Sequence, residues 1–133
     1  MKPKQTINKV NWNEQFKIRV RRNASRKHET IKLLIVLNII EKFKKNLSLI
    51  RVYTEYEVGD GKICDVYFEN IKTNEIICYE IQNNISKKWL EYTKEFYENY
   101  DKIFFTVDWM LVREKDLPES IEELNKAIKD ILI

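Results

Sequence analysis

Gly61-Lys62-Ile63-Cys64-Asp65-Val66-Tyr67-Phe68 and, after a polar loop, Ile76-Ile77-Cys78-Tyr79-Glu80-Ile81-Gln82 form the stretch on which the fold turns. Both runs are rich in β-branched and aromatic residues, and each reads as a strand. A hairpin whose loop, Asn70 to Glu75, is centred between residues 72 and 73 sets Asp65 directly across from Glu80. Upstream lies a third strand-like run, Leu49 to Val58, joined to the first by Gly59-Asp60-Gly61. A three-residue loop there lays Glu55 across Asp65 from the other side, with Glu57 and Gln82 one step along the same face. A two-residue turn breaks that row, so the Asp65/Glu80 pairing is the firmer part.

Opposed side chains have Cβ atoms about 5 Å apart, where two like charges repel by roughly 3 kcal/mol at an effective dielectric of 20. Stability alone does not select such a row. A hard divalent cation such as Mg²⁺ removes the repulsion, because it binds through one or two carboxylates plus water and substrate phosphates. A wet strand face, or pairing with Lys62, Lys87 and Lys88, is the plainer alternative. Ile63, Val66, Phe68, Ile77, Tyr79 and Ile81 surround the acids with central-strand sequence, which favours the site.

Working outward, Ser25 is a plausible N-cap for a helix to about Lys45, in which Ile31, Leu34, Ile35, Asn38 and Ile39 keep helical spacing. That helix is apolar around most of its circumference, which places it between layers. Phe16, Ile18 and Val20 alternate with Lys17, Arg19 and Arg21, the pattern of a short strand with a basic face. Ser86 opens a helix to about Tyr100, Lys102 to Trp109 reads as a buried strand, and Glu119 to Leu132 is an amphipathic helix. The core order is α-β-β-β-α-β-α. Trp89, Tyr92, Phe96 and Tyr100 mark the core face of the second helix, with base stacking as the alternative, and Asp108 and Trp109 end the last strand near the site.

The length of 133 residues suits a single domain, here residues 24–133 behind a basic arm or strand over 1–23. No apolar run approaches the roughly 20 residues of a membrane span and no signal peptide is legible, so a cytoplasmic protein without a membrane is expected. One His and two Cys cannot form a structural zinc site. Two Gly, both in the 59–61 loop, leave neither a P-loop nor a dinucleotide fingerprint. Charge is uneven: residues 1–27 carry nine Lys/Arg against Glu14, a net +8, while the rest carries −5. Such a basic arm on an acidic body suits a polyanion, with solubility as the plainer explanation. In the expected register Cys64 faces away from Asp65 while Cys78 shares the face of Glu80, which puts the free thiols on opposite sides of the sheet.

The run Gly61–Phe68, the turn, Ile76–Gln82 and the following helix resemble the core of the PD-(D/E)xK nuclease superfamily, and more narrowly the E-x-Q branch of competence-protein CoiA-like domains, over residues 24 to 109. The resemblance implies a restriction-endonuclease-like α/β fold, a mixed sheet flanked by helices. It makes Asp65 and Glu80 ligands of Mg²⁺ or Mn²⁺ and puts Gln82 where the family usually has a water-orienting lysine; Lys62, Lys87 or Lys88 could supply that charge. Cys64 stands in place of the family's proline. A further acid, implied on the first helix, is Glu29 or Glu41, with Glu55 or Glu57 as substitutes. Phosphodiester hydrolysis follows, with Lys17, Arg19, Arg21, Arg22, Arg26, Lys27, Lys87 and Lys88 gripping nucleic acid, DNA first, and with His28 either at the DNA, acting as a base, or merely packing. A homodimer is also implied. Binding without catalysis is the second expectation, and a protein-interaction module the third.

Overall fold

The computed structural model describes residues 15–59, 61–100 and 106–132. The expectations on Lys2, Lys4, Lys9, Asp60, Phe104 and Phe105 lie outside these residues. Within them the chain is α/β. Strand β1 (Phe16–Lys17) precedes helix α1 (Arg26–Lys42), the meander β2 (Ile50–Gly59), β3 (Lys62–Asn70) and β4 (Glu75–Gln82), helix α2 (Lys87–Asn99), strand β5 (Thr106–Arg113) and helix α3 (Ile121–Ile131). The five strands form one mixed sheet in sequence order, parallel at β1/β2 and β4/β5 and antiparallel between.

Local chemistry accounts for the helix starts. Ser25, Ser86 and Ser120 each accept a hydrogen bond from the backbone N–H three residues on, the side-chain cap that a helix N-terminus needs. Helices α1 and α3 cover one face of the sheet, where Ile31, Ile35, Val36 and Ile39 pack on Val52, Val66, Phe68, Ile81, Leu124 and Ile128. Helix α2 covers the other, where Tyr97 joins Tyr53, Val58, Cys64, Tyr67, Ile76 and Cys78. No described helix is long and apolar enough to cross a membrane.

The expected registers hold over most of both hairpins. Ile50 to Thr54 oppose Asn70 to Val66, and Tyr56 opposes Cys64, while β4 runs from Glu75 opposite Asn70 to Tyr79 opposite Val66. Three details differ from the sequence reading. The strand at Phe16 stops at Lys17, because Arg19 N–H donates to the Thr54 hydroxyl (2.6 Å) and so leaves the ladder. Strand β5 continues past Trp109 to Arg113 through its parallel pairing with β4, and its sheet-edge place leaves it half exposed rather than buried. Finally, Glu55 has φ 52°, a left-handed conformation that costs a non-glycine residue about 1–3 kcal/mol.

That conformation interrupts the alternation of both strands. Tyr53 and Tyr56 share the α2 face although they are three residues apart, and so do Cys64 and Tyr67. The expectation that Cys64 and Cys78 lie on opposite faces is therefore corrected: both are buried, free, and in the same cluster. Their mutual hydrogen bond and burial raise the Cys64 thiol pKa.

Ile35, fully buried, anchors α1 on the sheet, whereas Leu37 is 60% exposed. Ile35→Ala is expected to lower the unfolding free energy by about 2–5 kcal/mol in a urea titration, and Leu37→Ala by less than about 0.5 kcal/mol.

Candidate functional site

The last paired residues of the central hairpin are Val66 and Tyr79, and just beyond them Asp65 replaces a backbone carbonyl as the acceptor for Ile81 N–H, through Oδ2 at 2.7 Å. Its other oxygen, Oδ1, lies 3.3 Å from His28 Nε2. The opposite ring nitrogen, Nδ1, lies 2.7 Å from Glu29 Oε2. One turn along α1, Lys32 Nζ donates to Glu29 Oε1 and stands 3.7 Å from Glu55 Oε2, while Arg21 Nε meets Glu55 Oε1 at 3.2 Å. The backbone N–H of Arg21 also donates to Glu29 Oε1.

Three acids from three elements thus alternate with three bases. The helical cap explains part of the placement, since Ser25 fixes the first turn of α1 by accepting from His28 N–H. Lys32 is completely buried, and Glu29 and Asp65 are 6% and 7% exposed. Charges so enclosed persist only when paired and hydrogen-bonded. The pairing shows in the proton affinities. Hydrogen bonding to Asp65 outweighs burial and lifts the His28 pKa to about 9, so the ring is an imidazolium at neutral pH. Burial works to raise the Glu29 carboxyl, but hydrogen bonds from Lys32, the Arg21 N–H and His28 outweigh it and hold it low. Burial raises Glu55, only partly offset by Lys32. Its Oε2 has no hydrogen-bond donor.

Glu80 belongs to a second cluster. It is 2% exposed, accepts from the Tyr97 hydroxyl at 2.5 Å, and lies 3.7 Å from Lys62 Nζ. Lys62 also donates to Thr93 and sits over the rings of Trp89 and Tyr92. Burial raises the Glu80 carboxyl to about 7. The single row of acids expected from the register is thereby corrected. Asp65 and Glu55 turn toward α1, Glu80 turns toward α2, and Glu57 is exposed, because the left-handed Glu55 shifts the pleat where the row was to form.

A cleft of about 420 Å³ opens onto Asp65, His28, Arg21, Gln82, Asn84 and Glu114. Gln82 reaches it from the end of β4. Of the helix acids, Glu29 is at the site, while Glu41 is exposed and paired with Lys44. Lys17, Arg19, Arg21, Arg22 and Arg26 are exposed around β1 and the start of α1. Lys27 is engaged by Leu117 O and Glu119, and Lys87 and Lys88 are exposed at the start of α2. The resemblance's Mg²⁺ or Mn²⁺ has no ready cage: among the described residues no three His, Cys, Asp or Glu side chains gather to hold a metal ion. The positions beside the acids are filled by Lys32, His28 and Lys62.

Lys32 was not anticipated as a site residue, although a signal for it exists. At 100° per residue it falls inside the stripe of Ile31, Ile35, Val36 and Ile39, three residues after Glu29. A lysine in an apolar stripe must find a buried acid. Comparison with known proteins adds nothing further: no family model, curated protein or solved structure matches the chain.

The raised His28 pKa fixes a pH dependence. The folded value of about 9 exceeds the unfolded 6.5, so the stabilisation is complete below pH 6.5 and is lost as pH rises through 9. It amounts to about 3 kcal/mol. Unfolding free energies measured from pH 6 to 10 are expected to fall by about that amount in the wild type and to lose this slope in His28→Gln.

Proposed function

We propose that this chain is a nuclease that hydrolyses phosphodiester bonds of nucleic acid, DNA first, at the Asp65 cleft. The observation that carries the reading is a chain of charges, Glu55, Lys32 and Glu29, that ends in Asp65 and protonated His28 on the wall of a cleft rimmed by Arg21. Such a cluster is costly to bury, and sites with perturbed proton affinities in a cleft are where catalysis concentrates. The α-β-β-β-α-β-α order, with Asp65 within β3 and Gln82 at the end of neighbouring β4 on one cleft wall, supports it.

The roles follow from the chemistry of the side chains. Exposed Arg19, Arg21, Arg22 and Arg26 hold the phosphate backbone, bidentately where the fork meets two oxygens. His28, with both ring nitrogens engaged by Asp65 and Glu29, is a positioning residue that fixes the Asp65 carboxylate at the cleft. Lys32 holds the Glu29 carboxyl low and partly offsets the effect of burial on Glu55. Gln82, on the cleft wall, holds a water by hydrogen bonding. A divalent metal remains an expectation of the resemblance alone, and none of these roles runs through it.

A second reading, nucleic-acid binding without cleavage, is favoured by one observation: every acid of the two clusters already has a resident cation or donor. One assay separates the two. Supercoiled plasmid and a branched oligonucleotide are incubated with the protein in Mg²⁺, in Mn²⁺ and in chelator. Cleavage reduced at least about 100-fold in Asp65→Asn and about 10-fold in His28→Gln, which loses the contact that positions Asp65, is the expected result. Salt-sensitive binding without cleavage under all conditions assigns the second reading. Arg21→Ala and Arg22→Ala are each expected to reduce the salt slope of binding by about one.

A further inference from the structure

Joined to the cleft by the ion pair between Arg21 on the cleft rim and Glu55, a groove of about 360 Å³ runs between the strand-exit segment Lys17–Arg19 and β2, lined by Tyr53, Thr54, Glu55, Tyr56 and Glu57. Its origin is the left-handed Glu55. In a regular strand Tyr53 and Tyr56 face opposite ways, whereas here they lie side by side, ring centroids 5.3 Å apart, and both pack against Tyr67, Tyr53 stacked at 5.8 Å and Tyr56 tilted at 4.3 Å. The same backbone kink turns the Glu55 carboxylate to Lys32 and Arg21.

A cluster of three tyrosine rings ends at a groove whose opposite wall is cationic. Lys17 Nζ stands over the Tyr53 ring at 5.5 Å, and Arg19 is held in place by its backbone bond to Thr54. Tyr53 is buried, and half-buried Tyr56 presents the accessible edge of the stack. Aromatic surface on one side and Lys/Arg on the other match a flat, neutral base attached to an anionic backbone. A paired base has both faces covered by its neighbours, so the groove suits a base that has left its stack.

We propose that this groove holds an unpaired nucleobase, stacked on Tyr56 with its phosphates against Lys17 and Arg19, and so directs a single-stranded segment toward the Asp65 cleft. The proposal rests on the reading that the chain acts on nucleic acid and names the substrate class as single-stranded or locally unpaired. Arg21, bridging to Glu55, stands where the strand passes from groove to cleft.

The test uses the full chain and fluorescence-anisotropy titrations with a labelled single-stranded oligonucleotide and with the matching blunt duplex, across a salt series. Tyr56→Leu is expected to weaken single-strand binding about tenfold, leave duplex binding within twofold, and keep the salt slope, since the ring carries no charge. Tyr56→Phe, which keeps the stacking face, is expected to bind within twofold of wild type. Equal loss for single strand and duplex would overturn the proposal, because a general packing defect acts on both. Unchanged single-strand binding in Tyr56→Leu would also overturn it, while the cleavage assay stands independently. Tyrosine-dependent single-strand binding by a chain that cleaves nothing would uphold the groove and overturn hydrolysis. A wild-type chain that binds neither form would overturn both.

Discussion

A lysine with no solvent contact, held between two glutamates inside the seam of α1 and the sheet, sets the terms for the rest of this structure. A buried ammonium needs partners, and Glu29 and Glu55 supply them on either side. Glu29 then needs its second partner, His28, and His28 brings in Asp65. The chain of charges ties α1 to β2 and β3 by directional contacts that apolar packing alone does not supply. It also fixes where α1 begins, since Arg21 and Ser25 must approach the same end.

The second constraint is backbone, not side chain. A left-handed residue in mid-strand shifts the pleat by one, and at Glu55 this shift sorts the polar groups between the two faces. Asp65 and Glu55 go to the α1 side, and Glu80 with Lys62 and Tyr97 to the α2 side. Tyrosines and cysteines that a regular ladder keeps apart are joined. Strain of this kind persists only where the surroundings over-determine it, and here the Lys32 and Arg21 contacts do so.

These two constraints explain how far the site could be read before the fold was known. Alternating apolar residues and short polar loops placed β2, β3 and β4 and their registers, because burial on both faces leaves little freedom to slip. Asp65 and Glu55 share a cluster in line with the register of the first hairpin, whereas Glu29 was one of four acids, with Glu41, Glu55 and Glu57, among which the sequence did not choose. Glu80 did not join them. Its place depended on unbroken alternation through residue 55, and no local signal marks a glutamate that will adopt positive φ. His28 was noted but left open between packing and chemistry, since a single histidine carries no spacing to judge by.

The sequence by itself determined the order of elements, the helix starts at Ser25 and Ser86, most of the hairpin registers and the asymmetry of charge, all of which follow from local composition, periodicity and turn chemistry. Only the tertiary structure decided which acids join one cluster, that Lys32 lies buried between two of them, and that Tyr53 and Tyr56 pack side by side. The reason is physical. Local patterns report which face of an element is apolar, but the partner of a buried charge and the side to which a kinked strand turns depend on groups brought together from distant parts of the chain.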